Sequence, residues 1–259
     1  MNVDGKVFAV TGAGSGMGAA IVHLLARRGA RAVAASDISA KGLETLKSSV
    51  AQLNLGTEIH TTVLDVTSSD AVENWIQDTV ATFGDLHGAV NSAGLAQTIG
   101  ARQSPAILEE ADASWKRVWG VNLDGVFYCT RAQIRAMKAL GKPKSDRAIV
   151  NIASMASLKH DPDVYAYRSS KAANAHFTQS VAKDVSKFGI RVNAVSPGST
   201  ATPMLREFTG GKDAQLDDWK SRGWEVIEPD DVARVVVWLL SEDSRSVFGA
   251  NINIGAALP

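Results

Sequence analysis

Short apolar runs alternate with longer amphipathic stretches along the entire chain. A short, continuously apolar run between turn-forming residues is typical of a strand that is buried on both faces. The runs predict strands at residues 7–10, 31–36, 60–64, 87–91, 148–152, 191–195 and 250–254. Because helix-length segments separate these strands, we expect the strands to pair in parallel within one sheet.

The amphipathic segments between the strands predict the helices. They cover residues 17–28, 41–52, a stretch from a cap at 67–70 to about 83, 113–140, 169–187 and 230–241. Gly29 follows the first segment and Pro229 precedes the last, as is typical of a helix end and a helix start.

This alternation predicts an α/β fold with a doubly wound parallel sheet of about seven strands and helices on both faces. Neither a linker-like composition nor an internal repeat divides the sequence, so we expect residues 1–259 to form a single domain. Two irregular stretches, residues 95–111 and 197–228, each follow a strand. Ligands of such sheets bind beyond the carboxyl ends of the strands, so these stretches are expected to shape a substrate site.

Composition and charge narrow the function classes. The 259 residues carry a formal net charge of +0, which gives no electrostatic reason to expect a nucleic acid or a membrane as a partner. Cys129 is the single cysteine, so a disulfide within the chain is excluded and a reducing compartment, the cytoplasm, is expected. The five histidines lack metal-ligand spacing, and we predict no metal site.

A glycine-rich segment, Thr11-Gly12-Ala13-Gly14-Ser15-Gly16-Met17-Gly18, lies between the first predicted strand and the first predicted helix. Glycines let the backbone approach a pyrophosphate closely, and a helix N-terminus supplies free amides and a positive dipole. The context of strand, loop and helix therefore predicts nucleotide binding. The residues expected to contact the phosphates are Gly12, Ser15, Gly16, Met17 and Gly18.

Asp37 ends the second predicted strand and is followed by Ile38. A carboxylate at this position can accept both ribose hydroxyls of an adenosine and repels a 2′-phosphate. The glycine loop contains no Arg or Lys that could attract such a phosphate. The pair therefore favours NAD over NADP, although a helix or turn cap is an equally good local interpretation of Asp37.

Tyr167 and Lys171 are four residues apart, so on a helix both lie on one face. A nearby ammonium is expected to lower the pKa of a phenol, which could then exchange a proton with an alcohol oxygen near neutral pH. Taken alone, the spacing also suits an ordinary solvated helix face.

Together these features resemble the short-chain dehydrogenase/reductase family over essentially the whole chain, and so imply a Rossmann fold. The glycine loop matches its T-G-x-x-x-G-x-G motif, Ser154 stands thirteen residues before Tyr167, and Lys171 completes its Y-x-x-x-K motif. The remaining matches are Asp65-Val66, Asn91-Ser92-Ala93-Gly94 for the N-N-A-G turn, Asn122, and Pro197-Gly198 followed by Thr200 and Thr202.

The resemblance implies that a hydride passes between a nicotinamide and the carbon of a secondary alcohol or ketone. In the family's roles, Tyr167 is the general acid/base, Ser154 bonds the substrate oxygen, Lys171 holds the nicotinamide ribose, and Asn122 anchors a water. The expected dinucleotide contacts, besides those of the glycine loop, are Asp37, Ile38, Asp65, Val66, Asn91, Ala93, Gly94, Tyr167, Lys171, Pro197, Gly198, Thr200 and Thr202.

Three alternatives stay open at this point. Tyr165 is a rival phenol, but Ser169 rather than a lysine stands four residues after it. A redox-neutral enzyme on the same scaffold and a non-catalytic dinucleotide sensor are the rival functions, and the complete Ser154, Tyr167 and Lys171 set disfavours both. The family's V-D-G-G ending is here residues 254–257, Ile-Gly-Ala-Ala, which leaves the role of the chain end in subunit packing open.

Apolar and aromatic residues around the site suit a hydrophobic or cyclic substrate, although they could equally pack the loops onto the domain. They are Met155, Leu158, Tyr165, Met204, Leu205, Phe208, Trp219 and Trp224. We do not expect His160, Asp161 or Asp163 to act directly in catalysis. The resemblance also implies a homotetramer or dimer assembled through the predicted helices at 113–140 and 169–187.

Overall fold

A computed structural model of the chain describes residues 2–97, 103–141, 146–158, 160, 162–208 and 225–255. Its strands are β1 (Val7–Thr11), β2 (Ala32–Asp37), β3 (Glu58–Val63), β4 (Gly88–Asn91), β5 (Arg147–Ile152), β6 (Ile190–Pro197) and β7 (Asn251–Ile254). They form a parallel sheet in the order β3-β2-β1-β4-β5-β6-β7. The predicted doubly wound α/β fold is therefore confirmed.

The helices cover both faces of this sheet. They are α1 (Gly16–Arg27), α2 (Ala40–Ala51), α3 (Ser69–Phe83), α4 (Asp112–Trp119), α5 (Val126–Leu140), α6 (Tyr165–Val185), α7 (Pro203–Phe208) and α8 (Pro229–Leu240). Among the described residues, no helix is both long and apolar enough to cross a membrane.

Two hydrophobic cores lie on opposite faces of the sheet because successive strand side chains point in opposite directions. On β1, Phe8 and Val10 pack into the core beneath α1, α2 and α8, whereas Ala9 packs into the core beneath α3, α5 and α6. All five residues of β1 are buried. The apolar runs in the sequence are thus strands with both faces covered.

The order of strands reverses between β1 and β4. β1 pairs with β2 on one side and with β4 on the other, and Thr11 lies opposite Asn91 in the β1–β4 register. The loops that leave these two strands therefore diverge from adjacent positions at one edge of the sheet. Such a switch point is where doubly wound sheets bind their ligands.

The structure corrects several predicted boundaries. The predicted helix at 113–140 is α4 and α5 joined by a π-helical turn, Gly120–Gly125, and the predicted helix at 169–187 begins four residues earlier, at Tyr165. The stretches predicted to be irregular contain a 3-10 turn, Ala106–Glu109, and the short helix α7. The earlier start matters because it places Tyr167 within the first turn of α6.

Candidate active site

The glycine loop is joined directly to the turn after β4. The hydroxyl oxygen of Thr11 accepts hydrogen bonds from the N–H groups of Ser92 at 3.1 Å and Ala93 at 3.2 Å. A Cβ atom on Gly12 would lie 2.7 Å from the Ala93 nitrogen, and one on Gly18 would lie 2.0 Å from the Gly12 oxygen. A side chain at Gly12 would therefore separate these two turns, and one at Gly18 would displace the glycine loop itself.

The N-terminus of α1 opens into a cavity of about 610 Å³. The Ser15 side chain does not cap this helix, which leaves its first N–H groups for another partner. The lining includes these predicted contacts: Gly12, Ser15, Gly16, Met17, Gly18, Asp37, Ile38, Asp65, Val66, Ala93, Gly94 and Thr202. A cavity that is lined by the uncapped start of a helix fits the pyrophosphate of a dinucleotide.

Asp37 bridges the glycine loop and the start of α2. One carboxylate oxygen accepts from the N–H of Gly14 at 2.9 Å, and the other accepts from the N–H of Ser39 at 2.8 Å. The carboxylate therefore caps a turn, as one of the two sequence interpretations predicts. It also lines the cavity, and its contact with the ribose of an adenosine stays a prediction. The adjoining Ile38 side chain is 72% exposed beside it.

Asp65 and Val66 form the next part of the cavity wall. Asp65 accepts hydrogen bonds from both the N–H and the hydroxyl of Thr67, so its carboxylate is held by the turn that precedes α3. Val66 lies against Gly125, where an added Cβ would come within 2.7 Å of the valine side chain.

Asn91 differs from the other predicted dinucleotide contacts. Its side chain is buried and exchanges hydrogen bonds with Thr130, Gln133 and Asn151 in the interior. It does not line the cavity. The side chain of Asn91 therefore fixes the end of β4, and the turn that follows it supplies the cavity wall.

Ser154, Tyr167 and Lys171 come together at the carboxyl end of β5 and the first two turns of α6. The Ser154 side chain lies close enough to the Tyr167 phenol for its hydrogen bonding to lower the pKa of that phenol. The Lys171 Nζ atom lies 5.9 Å from the centre of the Tyr167 ring and donates to the Ile152 carbonyl at 2.8 Å. The interaction of Ser154 with Tyr167 favours Tyr167 over Tyr165 as the reactive phenol.

The pKa of Tyr167 is shifted in the direction opposite to the prediction. Burial raises the pKa of Tyr167, and the hydrogen bond from Ser154 lowers it by a smaller amount. The predicted lowering of the Tyr167 pKa is therefore wrong for the structure described. The reason is that burial disfavours the charged phenolate by more than the Ser154 hydrogen bond favours it. Burial also lowers the pKa of Lys171, to about 8.

Asn122 lies in the π-helical turn and is fully buried. Its Oδ1 accepts from the N–H of Leu95 at 2.8 Å, while its Nδ2 donates to the Leu95 carbonyl at 3.0 Å and to Ser170 at 3.2 Å. The side chain thus clamps the start of the 95–111 stretch to α6. That Asn122 anchors a water, as the family resemblance implies, stays a prediction.

The segment after β6 closes the cavity from the opposite side. Gly198 donates to the Ile254 carbonyl at 2.8 Å, and the Thr200 hydroxyl donates to the Gly198 carbonyl at 3.0 Å. Thr202 lines the cavity, whereas Pro197, Gly198 and Thr200 do not. These contacts hold the segment against the last strand.

The residues predicted to bind the substrate are only partly described. Met155 is buried, Leu158 is 42% exposed, and Met204 lines the cavity together with Thr202. Trp219, Trp224, Asp161 and the side chain of Phe208 lie outside the described part of the chain. Where the chain is described, His, Cys, Asp and Glu nowhere form a group of three that could hold a metal ion.

Several residues of the site were not among the predicted contacts. Lys116 and Arg117 on α4 line the cavity, Thr11 joins the two turns, and Gln97 contacts the backbone of Tyr167. Thr11 was recognisable from its place at the end of a strand. Lys116, Arg117 and Gln97 lie at the site because of the three-dimensional fold, and no local sequence pattern predicts their positions.

Comparison with known proteins indicates the family to which the chain belongs. A family model described as Enoyl-(Acyl carrier protein) reductase matches residues 12–256. A chanoclavine-I dehydrogenase of Arthroderma otae is 55% identical, and one of Penicillium roqueforti is 54% identical; each alignment covers 100% of this chain and 99% of the relative. The crystal structure of NAD+-bound xylitol dehydrogenase matches with a TM-score of 0.87 at 30% identity, covering 99% of this chain and 100% of that one.

Similarity of this extent, over the whole length and to proteins named as dehydrogenases, shows the class of reaction as well as the fold. The chain belongs to the short-chain dehydrogenase/reductase family and is an oxidoreductase that acts on CH–OH groups.

Proposed function

We propose that this protein is an NAD-dependent enzyme that interconverts an alcohol and a carbonyl group on a hydrophobic or cyclic small molecule. The observation that carries the proposal is the convergence of Ser154, Tyr167 and Lys171: Ser154 interacts with the Tyr167 phenol, and the Lys171 Nζ atom lies 5.9 Å from the centre of the Tyr167 ring. Three groups that can donate, accept and stabilise charge converge at the sheet edge where the dinucleotide cavity lies.

The dinucleotide would be held along the cavity wall. The N-terminus of α1 would hold the pyrophosphate, Asp37 would bind the adenosine ribose, and Asp65 with Val66 would contact the adenine. When bound, the nicotinamide supplies a carbon that accepts or releases a hydride.

Tyr167 would transfer the proton at the substrate oxygen. In reduction, the neutral phenol that burial favours donates its proton to the developing alkoxide, and in oxidation the phenolate accepts the proton of the alcohol. Ser154 donates a hydrogen bond to the same oxygen and stabilises its negative charge. Lys171, when protonated, stabilises the phenolate through its charge, because it lies 5.9 Å from the ring centre.

NAD is proposed in preference to NADP because the Asp37 carboxylate lines the cavity and is fixed by two backbone N–H groups. A fixed negative charge repels a 2′-phosphate. The NAD+-bound form of xylitol dehydrogenase supports the same preference. Lys116 and Arg117, which line the same cavity, are the cations that an NADP-binding enzyme would use instead.

The substrate proposed first is chanoclavine-I, because both relatives reported above are named as its dehydrogenases at more than half identity over the full length. Met155 and Met204 supply apolar surface near the catalytic groups, and Met204 lies close to Gly94 and Lys171. A flexible thioether side chain adapts to the shape of an apolar ligand.

We further propose that the chain acts as one domain, in the cytoplasm, as a homotetramer or dimer. Phe127 on α5 is 38% exposed and packs against Phe177 of α6 at a ring separation of 6.1 Å. These aromatic side chains on the two long helices suit a subunit interface. Light scattering during size-exclusion chromatography tests the assembly.

The proposed function is tested by incubating the protein with NAD+ or NADP+ and chanoclavine-I, followed by a panel of cyclic alcohols and, with the reduced dinucleotides, cyclic ketones. We expect the NADH absorbance band to grow with NAD+ and chanoclavine-I, and to grow less with NADP+. Unchanged absorbance for every pair of dinucleotide and substrate would contradict the proposal.

A further inference from the structure

Gln97 connects the stretch after β4 to the backbone of Tyr167. Its side-chain oxygen accepts the N–H of Tyr167 at 3.1 Å, across 70 positions of sequence. Its nitrogen donates to both carboxylate oxygens of Glu110, at 2.9 and 2.7 Å. Gln97 is 2% exposed, so these hydrogen bonds are made away from bulk water.

At the start of α6, the N-cap side chain does not cap the helix and so cannot replace the contact with Gln97. Tyr167 is the third residue of the helix, and the first N–H groups of a helix lack partners within it. The N-cap residue, Val164, has a left-handed backbone with φ of 48° and makes no side-chain cap. Gln97 therefore acts as the cap of this first turn from a distant part of the chain.

Glu110 fixes which way the Gln97 amide faces. An ionised carboxylate only accepts hydrogen bonds, so the amide nitrogen must face Glu110 and the amide oxygen must face Tyr167. A buried amide with both ends engaged has a single favourable orientation. The position of the Tyr167 backbone is thus tied to Glu110, which follows the 3-10 turn Ala106–Glu109.

We propose that Gln97, held by Glu110, is a positioning residue that sets the place of the Tyr167 phenol relative to Ser154. This inference rests on the proposed role of Tyr167 in proton transfer. Misplacement of a reacting group by about 1 Å can cost roughly 100-fold in rate, so a loose first turn of α6 would slow turnover without altering the dinucleotide cavity. Gln97 does not line that cavity.

A set of variants separates positioning from mere packing. Gln97→Met keeps the length of the side chain but removes both hydrogen bonds. Gln97→Glu alone places a second carboxylate next to that of Glu110, so the two groups repel each other. Gln97→Glu combined with Glu110→Gln restores both hydrogen bonds with the two side chains exchanged. In this double variant the carboxylate now at position 97 accepts from the N–H of Tyr167 and from the amide now at position 110.

We expect Gln97→Met and the single Gln97→Glu variant to lower kcat by about 10- to 100-fold, with the dinucleotide KM changed less than about twofold. The exchanged double variant should recover kcat to within about threefold of the wild type. If Gln97→Met does not fold, Gln97→Asn, which is too short to reach both partners, replaces it.

A second readout is independent of activity. The chain has three tyrosines, so labelling with ¹⁵N-tyrosine gives three amide signals, of which Tyr167 is identified in the Tyr167→Phe variant. Hydrogen exchange at Tyr167 should accelerate at least about tenfold in Gln97→Met and return towards the wild-type rate in the double variant.

The outcomes distinguish this inference from the proposed function. An active wild type whose kcat and Tyr167 exchange are both unchanged in Gln97→Met would overturn the positioning role. So would a folded double variant that recovers neither. A wild type without turnover would instead contradict the proposed function, and the exchange rates would still decide whether Gln97 holds Tyr167.

Discussion

Lys171 and Asn174 donate to the same backbone carbonyl oxygen, that of Ile152, at 2.8 and 3.3 Å. Asn174 in turn accepts from Thr178, whose hydroxyl also accepts from Asn151 at 2.9 Å. The Lys171 ammonium is thus held at the end of β5 by buried polar groups that reach into the core. Its position depends on the interior of the fold as well as on the dinucleotide site.

The buried position of Lys171 predicts a pH dependence of stability. Its pKa in the folded chain is about 8, below its usual value of 10.5, so the unfolded chain binds more protons between these values. The free energy of unfolding of the wild type should therefore rise with pH across this window relative to Lys171→Met. Urea unfolding from neutral pH to about 10 measures both proteins, and a constant difference between them would refute the shift.

Asp37 should determine the choice of dinucleotide. Asp37→Ala is expected to weaken NADH binding by about tenfold or more, because charged hydrogen bonds to the ribose are lost, and to weaken NADPH binding less. Asp37→Asn removes the charge but keeps an acceptor for the backbone, and so controls for damage to the glycine loop. Fluorescence titration of both dinucleotides measures the effect, and a wild type that binds only NADPH would refute the assignment.

Gly18 should not tolerate a side chain. A Cβ atom there would lie 2.0 Å from the Gly12 carbonyl, so Gly18→Ala must displace the glycine loop. We expect a loss of about 1–3 kcal/mol in the free energy of unfolding, and weak dinucleotide binding. Gly120→Ala is the matched control, because its Cβ would meet the nearest atom at an ordinary 3.7 Å. Equal unfolding midpoints for the two variants would contradict the packing argument.

Asn122 should contribute to stability as well as to the site. Asn122→Ala leaves the half-buried N–H and carbonyl of Leu95 without the Asn122 side chain as their partner, at a cost of about 1–3 kcal/mol in the free energy of unfolding. The exposed Asn253 provides the control, and Asn253→Ala should change that free energy by less than about 0.5 kcal/mol. Similar denaturant midpoints for both variants would show that Asn122 does not clamp the loop.

The fold was largely predictable because buried parallel strands leave continuous apolar runs. Prediction was less accurate for β3, expected at residues 60–64 and found at Glu58–Val63, because this edge strand has no fully buried residue. The helix predicted at 113–140 is interrupted at Gly120–Gly125, and the amino-acid composition of this segment does not predict the interruption. A π-helical turn there directs Asn122 towards Leu95, a contact made in three dimensions.

In the candidate site, too, features that depend on local spacing were predicted and features that depend on the folded structure were not. The glycine loop and the Tyr167–Lys171 pair were found because their spacing is local. The pKa of Tyr167 was predicted in the wrong direction, because a nearby charge can be read from the sequence but burial cannot. The start of α6 was placed too late for a related reason, since its cap is Gln97, 70 positions away, rather than a neighbouring Ser or Asp.

The proton-transfer role of Tyr167 is tested most directly by comparing turnover in Tyr167→Phe with that in Tyr165→Phe, using NAD+ and the best alcohol of the substrate panel. The two variants lose the same hydroxyl group within the first turn of α6, but it is the Tyr167 hydroxyl whose pKa is lowered by hydrogen bonding with Ser154. We expect Tyr167→Phe to lose about 100- to 10,000-fold in kcat with NADH binding nearly unchanged, while Tyr165→Phe retains most of its activity. Undiminished kcat in Tyr167→Phe would contradict the account.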